Sequence, residues 1–348
     1  MEAAAKKPKV GNDLTQGSIY KTLIVFAVPI ILTNLIQQLY SMVDLMVIGQ
    51  FVGSVGTVGI STGGEIADLV TPVAMGFSTA GQIYIAQLIG ARNERRAKKT
   101  VGTLLGFMLG VSALLMLAAI VFSLPILHTL NCPGEALSQA RAYMIITALG
   151  YPFVFGYNAV CGILRGMGES KRPLYFLITP SLVNIVLDVV FIAVFGWGVA
   201  GAALATVLSQ VASAVLTLRC IAGSEGTPWH IRAEKLRLHT EVLAAICMIG
   251  IPAAAQSAMY NVSNMLIQSS MNSFGTSTIA AWGVYGKIDF LFWMTINSLG
   301  IAITTFAGQN FGARQYDRVR NGVRVCMAMA AGITLGISVV FYNAAEPL

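Results

Sequence analysis

Long apolar stretches alternate with short polar segments along the whole chain, a pattern that predicts a bundle of membrane-spanning helices. Each stretch approaches or exceeds the ~20 apolar residues that a helix needs to cross a bilayer. The stretches cover residues 23–48, 60–88, 101–123, 142–163, 174–195, 199–221, 242–271, 279–307 and 322–342. We therefore predict an all-α polytopic membrane protein with nine spans.

Two aspartates lie inside these apolar stretches, Asp44 in the first and Asp188 in the fifth. An ionised side chain at the centre of a membrane helix costs about 2.5–3.5 kcal/mol on insertion scales, so it is usually retained for ion binding, proton transfer or substrate contact. Polar residues with helical spacing accompany them. The stripes are Gln37, Tyr40, Ser41 and Asp44; Ser181, Asn184 and Asp188; and Thr206, Gln210, Ser213 and Thr217.

Counting residues from the ends of the spans predicts that these three stripes meet at one depth in the membrane. At 1.5 Å per residue, Asp44, Asp188 and Thr206 lie roughly 7–11 Å from the same membrane surface. Hard cations such as Na⁺ prefer oxygen ligands, and two neighbouring carboxylates can share a proton instead. We therefore expect one cation site, and a transporter that uses it.

Composition agrees with a membrane protein, and the distribution of charge predicts its orientation. The chain is 56% hydrophobic and 11% charged, with a mean hydropathy of +0.73, whereas soluble domains carry about 25% charged residues. All but Arg141 and Lys287 of the 22 basic residues lie on one alternating set of connecting segments. Such segments stay cytoplasmic, so we predict a cytoplasmic N-terminus. The net charge of +7 is accounted for in this way and does not indicate a nucleic-acid partner.

The five cysteines and three histidines show no spacing typical of a disulfide framework or a metal site. We expect no cofactor and no enzymatic activity. Lys287 and Asp289 lie within the eighth stretch two residues apart, so they do not face each other on a helix. The sequence assigns no role to this pair.

The chain contains an internal repeat with an offset of 222–223 residues. The segment Ala86–Arg92 recurs as 308–314, and Pro29 recurs as Pro252. Six spans separate the two copies, an even number, so the copies run parallel across the membrane, a known plan for transporters. We divide the chain into a basic cytoplasmic tail (1–22), a first lobe (23–222), an amphipathic cytoplasmic linker (223–241) and a partial second lobe (242–348).

Several motifs resemble the multidrug and toxic compound extrusion (MATE) family. They are Leu39-Tyr40-Ser-Met-Val-Asp44, Gly162-Ile-Leu-Arg-Gly-Met-Gly168, Asn184-Ile-Val-Leu-Asp188 and Gly198-Val-Ala-Gly-Ala-Ala. The resemblance implies a two-lobe bundle of parallel six-helix repeats, of which nine of twelve helices would be present here. It also implies a monomer in the plasma membrane of a bacterium that exports cationic or amphipathic drugs or toxins in exchange for H⁺ or Na⁺.

By motif match, the chain resembles the DinF-like branch, which uses carboxylates of the first lobe. The resemblance assigns the cation site, including any Na⁺, to Asp44, Asn184, Asp188 and Thr206. Gln37, Tyr40 and Asn158 match residues that line the substrate cavity, and Gln210, on the helix-six stripe, joins them. The alternative branch uses a glutamate on helix seven, where this chain has no acid and places Ile267 opposite Asp44 in the repeat.

Three alternative functions are distinguishable from the sequence. A lipid-linked oligosaccharide flippase of the same superfamily would have a basic cavity, whereas the basic residues here lie almost entirely in connecting segments. An intramembrane aspartyl protease would carry Tyr-Asp and Gly-x-Gly-Asp motifs inside its membrane helices, and none of the nine apolar stretches contains either motif. A passive channel or receptor is the remaining alternative. We predict a cation-coupled exporter of small molecules.

Overall fold

The computed structural model describes residues 11–223, 237–272, 274 and 276–344, and every regular element among them is helical. In chain order the helices are α1 (Ile19–Phe51), α2 (Gly53–Gly90), α3 (Glu94–Val121), α4 (Ser123–Thr129), α5 (Gly134–Leu149), α6 (Tyr151–Gly166), α7 (Lys171–Asp188), α8 (Gly198–Ala222), α9 (Thr240–Asn272), α10 (Thr276–Gly312) and α11 (Tyr316–Ala344). The segment Val189–Val194 continues α7 as a π-helical turn.

Within the described ranges, eight helices are long and apolar enough to cross a membrane, and nine spans result when the bent pair α5–α6 is counted as one. The predicted all-helical membrane fold is therefore confirmed. Most of the predicted linker (residues 224–236), the first part of the basic tail (residues 1–10) and the C-terminal residues 345–348 lie outside the described residues.

The predicted fourth span differs from a single straight helix. The apolar stretch begins at residue 142, but α5 begins at Gly134 and α6 follows it at an angle of 43°. Gly150 and Pro152 mark the break. Proline has no backbone N–H to donate and its ring clashes with the preceding turn, so Pro152 is well accommodated at the start of a new helix, α6.

The two copies of the repeat end their second helices in the same way. Arg92 and Arg314 each adopt a left-handed backbone conformation, with φ of 54° and 60°. After α2, Asn93 N–H donates to Leu88 O at 2.9 Å, and after α10, Gln315 N–H donates to Asn310 O at 2.9 Å. This arrangement satisfies helix-terminal carbonyls that have no partner inside the helix.

These two helices cross at a local two-fold axis. Gly308 approaches Ala86, which is its own counterpart in the repeat, and a Cβ built on Gly308 would lie 2.7 Å from the Ala86 Cβ. A Cβ on Gly90 would meet the Gln309 carbonyl, and a Cβ on Gly312 would meet the Gln87 carbonyl. Because each contact has its reciprocal at the repeat offset, the two copies are related by a rotation at this crossing.

The hydrophobic cores follow the same rotation. Leu23 and Phe26 of α1 are buried with Phe306 and other residues of α10 and α11. Correspondingly, Val242 and Ile246 of α9, the counterpart of α1, are buried in the largest core cluster, beside helices α2 and α3. Each copy thus inserts its first helix against the second and third helices of the other copy, and large apolar side chains remain exposed on the outside, as expected where lipid replaces water.

Candidate functional site

The structure brings Asp44 and Asp188 together, although they are 144 positions apart in the sequence. The Asp44 carboxyl lies within hydrogen-bonding distance of the Asp188 carboxyl. Asp188 is 0% exposed, whereas Asp44 is partly exposed. Two carboxylates in contact repel each other, so a shared proton or a bound cation stabilises the pair.

Asn184 orients Asp188 and connects α7 to α8. It is one helical turn before Asp188 and is 1% exposed. Its Nδ2 donates to Asp188 Oδ2 at 2.9 Å, and its Oδ1 accepts from the Thr206 backbone N–H at 3.2 Å. These bonds hold one Asp188 oxygen in place. The other oxygen, Oδ1, is buried and has no donor in the described part of the chain, so it can accept a proton or coordinate a cation.

Thr206 enters the site through both its backbone and its side chain. Its N–H contacts Asn184 as described, and its hydroxyl donates to Ala202 O at 3.0 Å. A hydroxyl that donates in this way still has lone pairs that can accept a hydrogen bond or bind a cation. Carboxylate, amide and hydroxyl oxygens form the hard donor set that suits Na⁺. No cluster of three or more His, Cys, Asp or Glu side chains occurs in the described ranges that could hold a metal ion.

Two tyrosines lie beside the acid pair of Asp44 and Asp188. The sequence predicted one of them, Tyr40, but not the other, Tyr143. Tyr40 of α1 and Tyr143 of α5 both lie close enough to Asp44 and Asp188 to interact with them electrostatically. Tyr143 went unnoticed because the apolar stretch begins only at residue 142, whereas α5 begins at Gly134. Counted from Gly134, Tyr143 lies well inside the membrane span. A polar side chain at that depth would have been a candidate site residue.

A π-helical turn follows Asp188 directly. In the turn Val189–Val194 the backbone bonds shift from four to five residues, as in Phe195 N–H to Val190 O at 2.9 Å. Such turns are frequent at functional sites because they insert an extra residue and change the direction of the side chains beside them. Here the turn lies between the buried carboxylate and the loop that leads into α8.

A cavity of about 570 Å³ opens beside this corner, between the first lobe and α10. Its volume falls in the range typical of small-molecule sites, about 300–1,000 Å³. The predicted cavity residues Gln37, Tyr40, Asn158 and Gln210 all line it, together with Asn184 and Thr206 of the predicted cation site. Asp44 and Asp188 lie outside the lining itself. The cavity and the acid pair are therefore separate but share Asn184 and Thr206.

Hydrogen bonds within the protein fix part of this lining and leave part of it unsatisfied. Asn158 Nδ2 donates to Val154 O at 2.9 Å within its own helix, and its backbone carbonyl accepts from the Ser78 hydroxyl at 2.6 Å. Gln210 Oε1 is buried and has no donor in the described ranges. Gly150 makes room for it, since a side chain there would collide with Oε1.

Lys287 and Asp289 lie far from Asp44 and Asp188 in the sequence. The Tyr285 hydroxyl donates to Asp289 Oδ1 at 3.2 Å within α10. The Lys287 side chain lies outside the described residues. Asp289 is not part of the described lining of the cavity, so the described residues give it no part in the site.

Several curated bacterial proteins resemble the chain. It is 29% identical over 327 residues to "Probable multidrug resistance protein YoeA" of Bacillus subtilis, covering 92% of this chain and 71% of that protein. It is 30% identical over 308 residues to "Probable multidrug resistance protein YpnP" of the same species, covering 88% and 68%. "Multidrug export protein MepA" of Staphylococcus saprophyticus is 24% identical over 340 residues, with 96% and 73% covered.

Solved structures show the same fold. A structure described as the outward-facing conformation of a multidrug resistance MATE family transporter of the MOP superfamily superposes with a TM-score of 0.87 at 23% identity, covering 99% of this chain and 76% of that one. A crystal structure of MATE in complex with MaD5 gives a TM-score of 0.90 at 23% identity, covering 97% and 77%. These likenesses confirm the two-lobe helical architecture.

The family model described as MatE matches the chain twice, over residues 29–190 and 252–348. The two matches begin at Pro29 and Pro252, the prolines that the repeat analysis had paired. The assignment to the DinF-like branch stays a prediction. The matches to the family model, the similarity to YpnP and the shared fold agree: the chain belongs to the MATE family and is a multi-pass membrane transporter, not an enzyme.

Proposed function

We propose that this protein exports cationic or amphipathic small molecules from a bacterial cell in exchange for H⁺ or Na⁺. The supporting observation is the contact between Asp44 and Asp188 beside the 570 Å³ cavity, with one buried Asp188 oxygen lacking a donor. The names of the relatives, multidrug resistance and export proteins, support the substrate class. Asp44, Asn184, Asp188 and Thr206 form the cation site in this proposal.

The geometry supplies a route by which the ion affects the substrate. Asn184 both bonds to Asp188 and lines the cavity, and α1 carries Gln37 and Tyr40 in the cavity and Asp44 at the acid pair. A cation that draws the two carboxyls together therefore also shifts Asn184 and α1, which contribute to the cavity. Antiport requires that ion and substrate weaken each other's binding, and this coupling is reciprocal. Gln37, Tyr40, Asn158 and Gln210 hold the substrate in this scheme.

We also propose that the N-terminus is cytoplasmic and that the protein acts as a monomer in the plasma membrane. The distribution of basic residues supports the orientation, and the monomer follows from the resemblance to the family. In a background that lacks Cys132, cysteines placed at Arg95 and Tyr316 should be shielded from an impermeant thiol reagent added outside, while one at Gly134 should react. Outside labelling at Arg95 would overturn the orientation.

The transport proposal is tested with purified protein in vesicles that hold a fluorescent amphipathic dye. Imposed pH and Na⁺ gradients should drive dye movement by the wild type, and the effective gradient identifies the coupling ion. Asp188→Asn should reduce driven movement to the level of protein-free vesicles. Asp289→Asn is the matched control, since Asp289 is also an intramembrane acid but lies outside the acid pair. Wild-type rates for Asp188→Asn would refute the cation site.

The flippase alternative is less well supported by the cavity. A flippase is expected to have a basic cavity, whereas the described lining contains a single basic side chain, Arg165. The remaining lining is polar but uncharged, or apolar and aromatic. A lining of this kind fits a small amphipathic molecule better than a polyanionic lipid headgroup.

A further inference from the structure

Arg165 is the one charged side chain in the described lining of the cavity. It lies in the last turn of α6, where arginine usually extends away from the apolar region so that its head group reaches the interface. Here its Nε donates to Cys161 O at 3.2 Å, one turn back along α6. The guanidinium is therefore turned back along the helix and into the cavity wall.

Arg165 has no carboxylate partner in the described part of the chain. The salt bridges found there, with N···O distances up to 4.0 Å, join Arg96 to Glu241 and Arg172 to Glu169. Glu169, the nearest acid in sequence, also accepts the Lys171 backbone N–H at 3.0 Å. The charge of Arg165 acts on Tyr157 and Cys161 instead, both of which line the cavity.

An arginine in a cavity wall is suited to an anionic ligand when its terminal N–H groups have no partner, as is the case for Arg165 among the described residues. The guanidinium presents its donors in a planar fork that matches a carboxylate, and charge-assisted bonds of this kind are shorter and stronger than neutral ones. Desolvation makes an uncompensated charge costly, so a ligand that supplies the opposite charge binds with a gain.

The rest of the cavity specifies the other parts of such a ligand. Aromatic side chains line it at Phe176, Phe290 and Trp293 and can pack against a planar body. Gln210 Oε1 is a buried acceptor without a donor in the described ranges, so a ligand N–H or O–H can satisfy it. The complementary molecule is thus amphipathic, with a carboxylate at one end and hydrogen-bond donors elsewhere.

We infer that Arg165 forms an anion subsite and that the substrates of this transporter are amphipathic molecules bearing a carboxylate, including zwitterions. The inference rests on the proposed export function and narrows its substrate class. A cationic ring system with a free carboxylate fits the two parts of the cavity. Its carboxylate pairs with Arg165, and its ring packs against the aromatic lining.

The probes are a rhodamine with a free carboxylate and the methyl ester of the same dye, which differ by one negative charge. Binding is measured by fluorescence anisotropy on the full chain in nanodiscs of neutral phosphatidylcholine. The wild type should bind the acid about tenfold to a hundredfold more tightly than the ester, the range expected for a hydrogen bond to a charged group. Equal affinities, or tighter binding of the ester, would overturn the inference.

Variants test whether Arg165 causes this preference. Arg165→Gln should reduce the ratio of the two affinities to about one, whereas Arg165→Lys, which keeps the charge, should retain most of it. Arg172→Gln is the matched control, because Arg172 lies on the same basic segment but does not line the cavity. An unchanged ratio in Arg165→Gln would assign the preference to another group and refute the subsite.

A membrane lipid could supply the same negative charge. Nanodiscs with added phosphatidylglycerol separate the two sources. Unchanged binding of the acid dye supports a substrate subsite, whereas competition by the lipid in the wild type and in Arg165→Lys, but not in Arg165→Gln, would reassign Arg165 to lipid headgroups. Gradient-driven movement of the ester, measured in the wild type, tests the export function independently of this outcome.

Discussion

The two repeats share a scaffold but not its chemistry. Arg92 and Arg314 end α2 and α10 with the same left-handed conformation, and the contacts of Gly90 and Gly312 are reciprocal. In contrast, α1 carries Asp44 where α9 carries Ile267, which is 42% exposed. The cavity is lined by α1, α2, α6, α7 and α8 of the first repeat, and by α10 of the second.

This difference shows which features the symmetry serves. Close helix crossings need small residues and a defined backbone, and both copies retain them. The proposed ion binding uses a pair of carboxyls, and in the described residues the first copy supplies this pair with Asp44 and Asp188. We conclude that the repeat provides the packing between the lobes, while the proposed coupling chemistry belongs to the first lobe.

The largest expected effect comes from exchanging the residues in which the repeats differ. The double variant Asp44→Ile, Ile267→Asp keeps the composition but moves the acid from α1 to α9, where it cannot contact the buried Asp188. Gradient-driven export should fall to the level of protein-free vesicles. Size-exclusion chromatography checks that the variant is folded. Wild-type export by the exchanged protein would mean that the position of the acid in the first repeat is immaterial.

A smaller effect is expected when the shared crossing is disturbed. Gly90→Ala and Gly312→Ala each place a Cβ against a backbone carbonyl of the other copy, and such overpacking typically costs about 1–3 kcal/mol. Both variants should lower the thermal unfolding midpoint by similar amounts. Gly332→Ala in α11 is the control, because a Cβ there meets open space and should raise helix stability by up to about 1 kcal/mol. If one of the two paired glycines tolerated alanine, the crossing would not be symmetric.

The smallest expected effects on stability come from the contacts that hold the chain ahead of α1 and at the start of α9. Arg318 of α11 donates to Gln16 O and Gly17 O, both at 2.9 Å, ahead of α1. Glu241, at the start of α9, pairs with Arg96 at 3.7 Å, with side chains 89% and 58% exposed. Arg318→Gln should therefore lower stability by about 1 kcal/mol.

The matched variant Arg96→Gln should leave the unfolding midpoint almost unchanged, because an exposed ion pair contributes about 0–1 kcal/mol. Chemical unfolding of both variants in the same detergent compares them directly. A larger loss for Arg96→Gln than for Arg318→Gln would reverse the ranking of the two segments.

Much of the fold could be predicted because the membrane constrains the sequence so strongly. Apolar length predicted the spans, and the repeated Ala86–Arg92 segment predicted the relation between the copies that the crossing of α2 and α10 confirms. The site residues could be named because a buried acid such as Asp188 is costly and therefore conspicuous. Their assembly in space followed from matched depth, and the structure places them in contact.

The features that were missed depend on local geometry that hydropathy does not record. The bend at Gly150 and the π-helical turn after Asp188 change helix direction without changing apolar content. Tyr143 escaped notice because an apolar stretch underestimates the length of its helix. Arg165 looked like an ordinary residue of a basic connecting segment, and only its hydrogen bond to Cys161 O shows that it turns into the cavity.

The central claim is that Asp44 and Asp188 act as one site, and a double-mutant cycle tests it most directly. Gradient-driven export is measured in vesicles for the wild type, Asp44→Asn, Asp188→Asn and the double variant. Since both carboxyls hold the same proton or cation, each single variant should fall to the same background rate and the double variant should fall no further. Partial activity in both single variants, with a double variant whose losses multiply, would show two independent groups and contradict the account.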